Sequence, residues 1–177
     1  MGINKVENIS TKRGDAGESS NYSSEKFPKD HIVFETLGTI DELSAFLGLT
    51  FHHTHYEQIK IIQKTLQAIN SLIATNPENK AYETLRKINE KDIGFIEEQE
   101  QKLLQRKDIE AKFHLPGSET SKQNAYFDYA RTIARRTERT VVRFINVTQR
   151  EDLNFVRAYL NRLSDLLFIL ARNFDTN

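Results

Sequence analysis

Apolar positions in this chain recur three and four residues apart over long stretches, the spacing of one buried stripe on an α-helix. Phe34, Leu37, Ile40, Leu43 and Leu47 make the first stripe, on a helix beginning near Asp30. Ile59, Ile62, Leu66, Ile69 and Ile73 make a second, which Asn76-Pro77 stops. Leu85, Ile88, Phe95, Ile96 and Leu103 define a third, highly charged helix from about Ala81 to Arg106, with Gly94 inside it and a peripheral place expected. Past a break at Pro116-Gly117, a fourth helix has Tyr126, Tyr129, Ile133, Val141, Phe144 and Ile145 as its packing residues. Val156, Tyr159, Leu163, Leu166 and Leu170 give the fifth a bundle seam. Period-two alternation is almost absent. The pattern predicts an all-α protein: an antiparallel five-helix bundle over residues 30–177, preceded by an irregular arm over 1–29, in a single domain.

Composition narrows the function classes. The 177 residues carry 25 basic and 25 acidic side chains, for a formal net charge of zero. Proteins that hold nucleic acid or a membrane surface carry a general basic excess. Here positive charge is local, which suits a small anionic ligand better than a polymer. There is no Cys, so disulfides and thiolate metal sites are excluded. MGINKVENIS has no apolar stretch, and no run approaches the length of a membrane span, so a cytoplasmic location is the expectation.

The local charge sits in ARTIARRTERTVVR. Arg131, Arg135, Glu138 and Arg139 share one side of a helix, and Arg136 and Arg143 lie on a neighbouring stripe. Guanidinium is a planar, permanently charged fork that fits phosphates and carboxylates. The helix either holds a polyanion or forms a salt-bridged surface; its sequence alone leaves both open. In the arm, TKRGDAGESS combines two Gly, basic side chains and hydroxyls, the composition of a phosphate-cradling loop but not the Walker A spacing. A flexible polar terminus is the plainer alternative. Asp41 is expected to partner an arginine. Asn161 and Asp165 are polar groups one turn apart beside an apolar seam and need partners. His52, His53 and His55 fit a helix C-terminus better than a metal site. Phe113, at a helix break, is expected in the core.

Three ordered segments together resemble the PduO-type cobalamin adenosyltransferases. TKRGDAGESS, running on through PKDHIVFETLGTIDELSAFLGL, is similar to the family's arm and first helix. FHLPGSE followed by ARTIARRTER is similar to its middle motif, and YLNRLSDLLFILAR to its last helix. Asp128 stands where the family often has His. The resemblance implies a five-helix bundle assembled as a homotrimer, with active sites between subunits. It implies that Thr11, Lys12, Arg13, Gly14, Asp15, Gly17, Ser19, Ser20 and Lys29 shape the ATP site. Arg131, Arg135, Arg136, Glu138 and Arg139 correspond to the helix that holds ATP and organises the interface, and Asn161 to an ATP-contacting side chain. Asp41 matches an acid that pairs across the interface with Arg131. Phe113 matches an aromatic beneath the corrin ring that excludes the lower axial ligand.

The implied reaction moves the adenosyl group of ATP to the cobalt of cob(I)alamin, with triphosphate leaving and Mg²⁺ on the phosphates. A reductase or a B12-dependent acceptor enzyme is an implied partner; nucleic acid and membrane are not. The alternative is a regulatory or structural bundle, with or without ATP, that carries out no adenosyl transfer.

Overall fold

The computed structural model describes residues 4–8, 10, 12, 14–118 and 121–174. Two short strands, β1 (Glu18–Ser20) and β2 (Lys26–Pro28), precede α1 (Ile32–Thr54), α2 (Gln58–Ile73), the single turn α3 (Ala81–Thr84), α4 (Glu90–Leu104), α5 (Lys122–Thr148) and α6 (Asn154–Asn173). Five long helices thus form the body. The arm is less irregular than its composition suggests: β1 and β2 pair antiparallel, with Ser19 opposite Phe27. Alternation over three residues is too short to register in the sequence.

α1 packs on α2 and on α5, α5 on α6, and α6 on α4. Contacts between Glu35 and Arg143, Thr39 and Thr137, and Phe46 and Tyr129 run in opposite directions along α1 and α5, so these helices are antiparallel. α4 lies parallel to α6, because Glu97 meets Arg162 and Leu103 meets Asn173. The core is the set of stripes read above. Ile59, Ile62, Leu66, Ile69 and Ile73 of α2 are buried, as are Val156, Tyr159, Leu163, Leu166 and Leu170 of α6. On α1, Val33 and Thr36 take buried places that Phe34 and Leu37 only half occupy.

The third helix is not continuous. It breaks after α3, where Leu85 turns extended, and restarts at Asn89. Asn89 accepts from Lys91 N–H at 2.9 Å, and the Asp92 carboxylate accepts from Asn89 N–H at 3.0 Å, a reciprocal cap that starts a new helix. That N-x-x-D signal was present in the sequence and outweighs the run of helix-forming residues around it. Tyr129 is also displaced from expectation: it is 57% exposed, while Ile133, Val141, Phe144 and Ile145 are buried.

Candidate active site

The arm carries a tight, pre-shaped loop. Lys12 and Gly17 have left-handed backbone, φ 57° and 82°. Gly17 N–H donates to the Gly14 carbonyl at 3.2 Å, and Lys29 N–H donates back to the Gly17 carbonyl at 2.8 Å. A Cβ on Gly14 would sit 2.9 Å from the Lys29 ammonium, so this glycine leaves room for a cation packed onto the loop. Gly14, Asp15, Gly17, Ser19 and Lys29 are therefore brought together, with Ser20 ending β1. Thr11 and Arg13 lie outside the described residues.

The hairpin is held by the end of α2. Tyr22 N–H donates to the Ala74 carbonyl at 2.9 Å, and Asn76 N–H donates to the Ser23 hydroxyl at 2.8 Å. Glu25 accepts from the Asn76 side chain at 2.8 Å and from Asn21 at 2.6 Å. The Asn76 amide first, then Asn21, lowers the Glu25 pKa by stabilising its charged form. Behind this junction Arg150, 8% exposed, donates to the Leu72 and Thr75 carbonyls at 3.2 and 3.3 Å and pairs with Asp152. Asn76 was read only as part of a helix stop, and none of Ser23, Glu25 or Arg150 stood out in the sequence, because lone polar residues look alike until their partners are placed.

α5 divides its arginines into two sets. Arg136 pairs with Glu42, and Arg143 with Glu35, both carboxylates of α1. This is the neighbouring stripe, and it is the salt-bridged surface. Arg135 and Arg139 are exposed and have no ion-pair partner among the described residues. Arg131 is half-buried; its Nε lies 3.8 Å from the Asp128 carboxylate and makes no hydrogen bond. Glu138 accepts from Asn161 Nδ2 at 3.2 Å, and Asn161 Oδ1 accepts from Arg162 at 3.0 Å. Glu138 and Asn161 thus meet at the seam of α5 and α6, beside the unpaired arginines.

Asp41 is exposed on α1 and has no ion pair among the described residues; its neighbour Glu42 takes the in-chain arginine. Asp41 lines an open groove of about 550 Å³ between the hairpin and helices α1 and α2, with Tyr22, Gly38, Gln67 and Asn70. Asn70 Oδ1 is buried there without a hydrogen-bond partner. Phe113 is 90% exposed, which overturns the expectation of core packing. It sits on the connection between α4 and α5, outside the bundle, where a large bare ring is a ready contact surface. The histidines end α1: His52 and His53 occupy its last turn and His55 caps it with φ 52°. Among the described residues no three His, Asp or Glu side chains cluster as a metal cage.

The arm docks beside Phe144, Thr148 and Arg150, at the far end of α5. Arg131 is thirteen residues from Phe144, about 20 Å along the helix axis at 1.5 Å per residue. The hairpin therefore meets α5 near its C-terminal end, a long way along the axis from Arg131 and nearer to Arg139.

A glycine-hinged loop on a helical bundle, with exposed guanidinium groups unpaired among the described residues, marks a candidate anion-binding protein. The family model described as cobalamin adenosyltransferase matches residues 9–174. The chain belongs to that family. It is 38% identical over 177 residues to the human corrinoid adenosyltransferase MMAB, covering 95% of this chain and 69% of the relative. It is 32% identical over 176 residues to the corrinoid adenosyltransferase PduO of Salmonella typhimurium, covering 96% of this chain and 50% of that one. Among solved structures, a variant PduO-type ATP:corrinoid adenosyltransferase from Lactobacillus reuteri, complexed with cobalamin and ATP, superposes with a TM-score of 0.81 at 27% identity. That match covers 93% of this chain and 92% of the other.

Proposed function

We propose that this protein transfers the 5′-deoxyadenosyl group of ATP to the cobalt of a reduced corrinoid, releasing triphosphate. The observation that carries the reading is the Arg135–Arg139 pair: two fixed cations one turn apart, unpaired in a helix whose neighbouring arginines are neutralised by α1. Their Cβ atoms are about 6 Å apart, a spacing suited to successive phosphates. In the transfer, the electron pair of cobalt(I) forms the bond to C5′ and the C5′–oxygen bond breaks. The departing triphosphate keeps that bond's electrons. The nucleophile comes with the corrinoid, so no side chain need attack. The protein's work is to orient C5′ and to stabilise charge on the leaving group.

Arg135, Arg139 and Lys29 fill that role, with Lys12, Gly14, Asp15, Gly17, Ser19 and Ser20 shaping the loop, Asn161 and Glu138 fixing the nucleotide-facing seam, and Thr11 and Arg13, outside the described residues, as the remaining candidates. Following the family resemblance, the site is assigned to the junction of two copies in a homotrimer. Asp41, exposed in the groove beside the arm, offers an acceptor to Arg131 of the next copy. Phe113 is placed against the corrin face. Mg²⁺ would enter with ATP, as part of the substrate MgATP.

The test mixes protein, MgATP and chemically reduced cobalamin and follows the absorbance change to adenosylcobalamin. Turnover with stoichiometric triphosphate is expected. Intact ATP binding without turnover would return the chain to the regulatory or structural alternative, which the family match does not favour.

A further inference from the structure

Asp128, in the second turn of α5, is 3% exposed and is the one buried acid among the described residues. Its Oδ2 accepts from Gly117 N–H at 2.9 Å. Its Oδ1 accepts from the Arg172 guanidinium near the end of α6, itself 4% exposed. Gly117 has φ 74°, and Ser118 N–H donates to the Leu115 carbonyl at 3.1 Å. Pro116 then Gly117 at the centre of that turn is type II chemistry, which needs glycine at the second position. The turn closes the stretch that carries Phe113, four residues earlier. The same stretch touches α6 through His114, whose ring stands edge-on to Phe168 at 5.9 Å.

A buried ion pair is a weak way to hold two helices together, since apolar side chains of similar volume do it as well without desolvating charge. What the carboxylate adds is direction. One buried group binds α6 and the turn at once, so the turn's position is tied to the packing of α5 on α6. Arg131, 3.8 Å away and not hydrogen-bonded to it, depends on it far less.

We propose that Asp128 is a positioning residue for corrinoid binding: it anchors the Leu115–Ser118 turn, and through it the exposed Phe113 ring, onto the bundle. The inference rests on the reading of Phe113 as the corrinoid-facing side chain. Asp128→Asn keeps the shape and removes the charge. The expected result is a rise of about tenfold in KM for reduced cobalamin, with calorimetric ATP affinity within about threefold of the original. Because Asp128 acts through Phe113, the double variant with Phe113→Ala should be no slower than Phe113→Ala alone. Losses that multiply in that cycle, or unchanged corrinoid kinetics in folded Asp128→Asn, overturn the proposal. Wild-type turnover in Phe113→Ala alone overturns the reading beneath it and is a separate result. If Asp128→Asn does not fold, Gly117→Ala enters the same cycle with the same criteria, since it strains the turn at positive φ and leaves the Asp128–Arg172 pair in place.

Discussion

Truncating Arg135 separates binding from folding. The side chain is exposed and has no ion-pair partner among the described residues, so the folded chain loses no ion pair among them when it is removed. Ala is at least as good a helix former, and the stability change should stay within about 0.5 kcal/mol. On the proposed reading, the interaction lost during the reaction is a charge-assisted hydrogen bond to a phosphate oxygen, worth about 1.5–3 kcal/mol. Where charge develops on the leaving group, removing one donor costs roughly 10²–10³ in kcat. The expected fall in kcat/KM for MgATP is therefore on the order of 10 to 10³, with melting temperature and assembly unchanged. The assay is the initial rate of adenosylcobalamin formation at saturating reduced cobalamin with MgATP varied, alongside a thermal melt and sedimentation of the same preparation. Arg136→Ala is the internal contrast. Its half-exposed pair with Glu42 contributes about 0–1 kcal/mol to stability, and its rate effect should be the smaller. Wild-type kinetics in Arg135→Ala would refute the anion-holding role. A loss of activity that tracks a loss of assembly would reassign the arginine to the contact between copies.

Three further outcomes are expected. Phe113→Ala should leave the melting temperature unchanged, because the ring is 90% exposed, and should impair cobalamin turnover more than ATP affinity; equal loss of both would count against it. Asn76→Ala removes the 2.8 Å bond to Glu25 that docks the hairpin, at about 1 kcal/mol, so calorimetric ATP affinity should weaken about fivefold; unchanged affinity would separate the docking from the nucleotide site. Glu100 of α4 has a pKa raised to about 7, by burial first and then by Asp165 of α6, against the opposing Arg162. Its folded value lies above the unfolded 4.5, so its share of stability is full below that value and is lost as pH rises through about 7. Discounted for partial exposure, that share is on the order of 1–2 kcal/mol. Glu100→Gln should flatten the urea-stability profile over this window, and parallel profiles would refute the assignment.

The helices were legible wherever one buried stripe ran without interruption. α2 and α6 bury the very residues that their three-and-four spacing marks. The break between α3 and α4 was missed because periodicity continues across it; only the Asn89–Asp92 cap reveals it, and a cap is a local signal inside a strongly helical composition. Residue type marked α5 and the arm as candidates for anion binding and left a salt-bridged surface open for α5. It could not show which arginines are free, since that depends on the carboxylates α1 presents. Phe113 was misplaced by composition for a similar reason: an aromatic beside a break is usually buried, and only the path of the 105–121 connection leaves this one bare. The anchoring residues Ser23, Glu25, Asn76 and Asp128 are defined by contacts across 11 to 53 positions of sequence, which no local pattern encodes.

The rotation of α5 decides which arginines can serve. Thr137 is fully buried and donates its hydroxyl to the Thr39 carbonyl of α1 at 3.0 Å, which fixes the side of α5 that faces α1. At 100° per residue, Arg136 and Arg143 lie about 100–120° round from Thr137, on one flank, within reach of α1 carboxylates. Arg135 and Arg139, two residues before and after Thr137, both fall about 160° away, on the face opposite α1. The arm of the same chain docks on the α2 and α1 side of the bundle, at Ala74, Asn76 and His31. On the proposed shared site, a polyphosphate meets the outward Arg135 and Arg139 of one copy and the arm of a second, and the rotation set by one buried threonine is what leaves those two arginines facing outward.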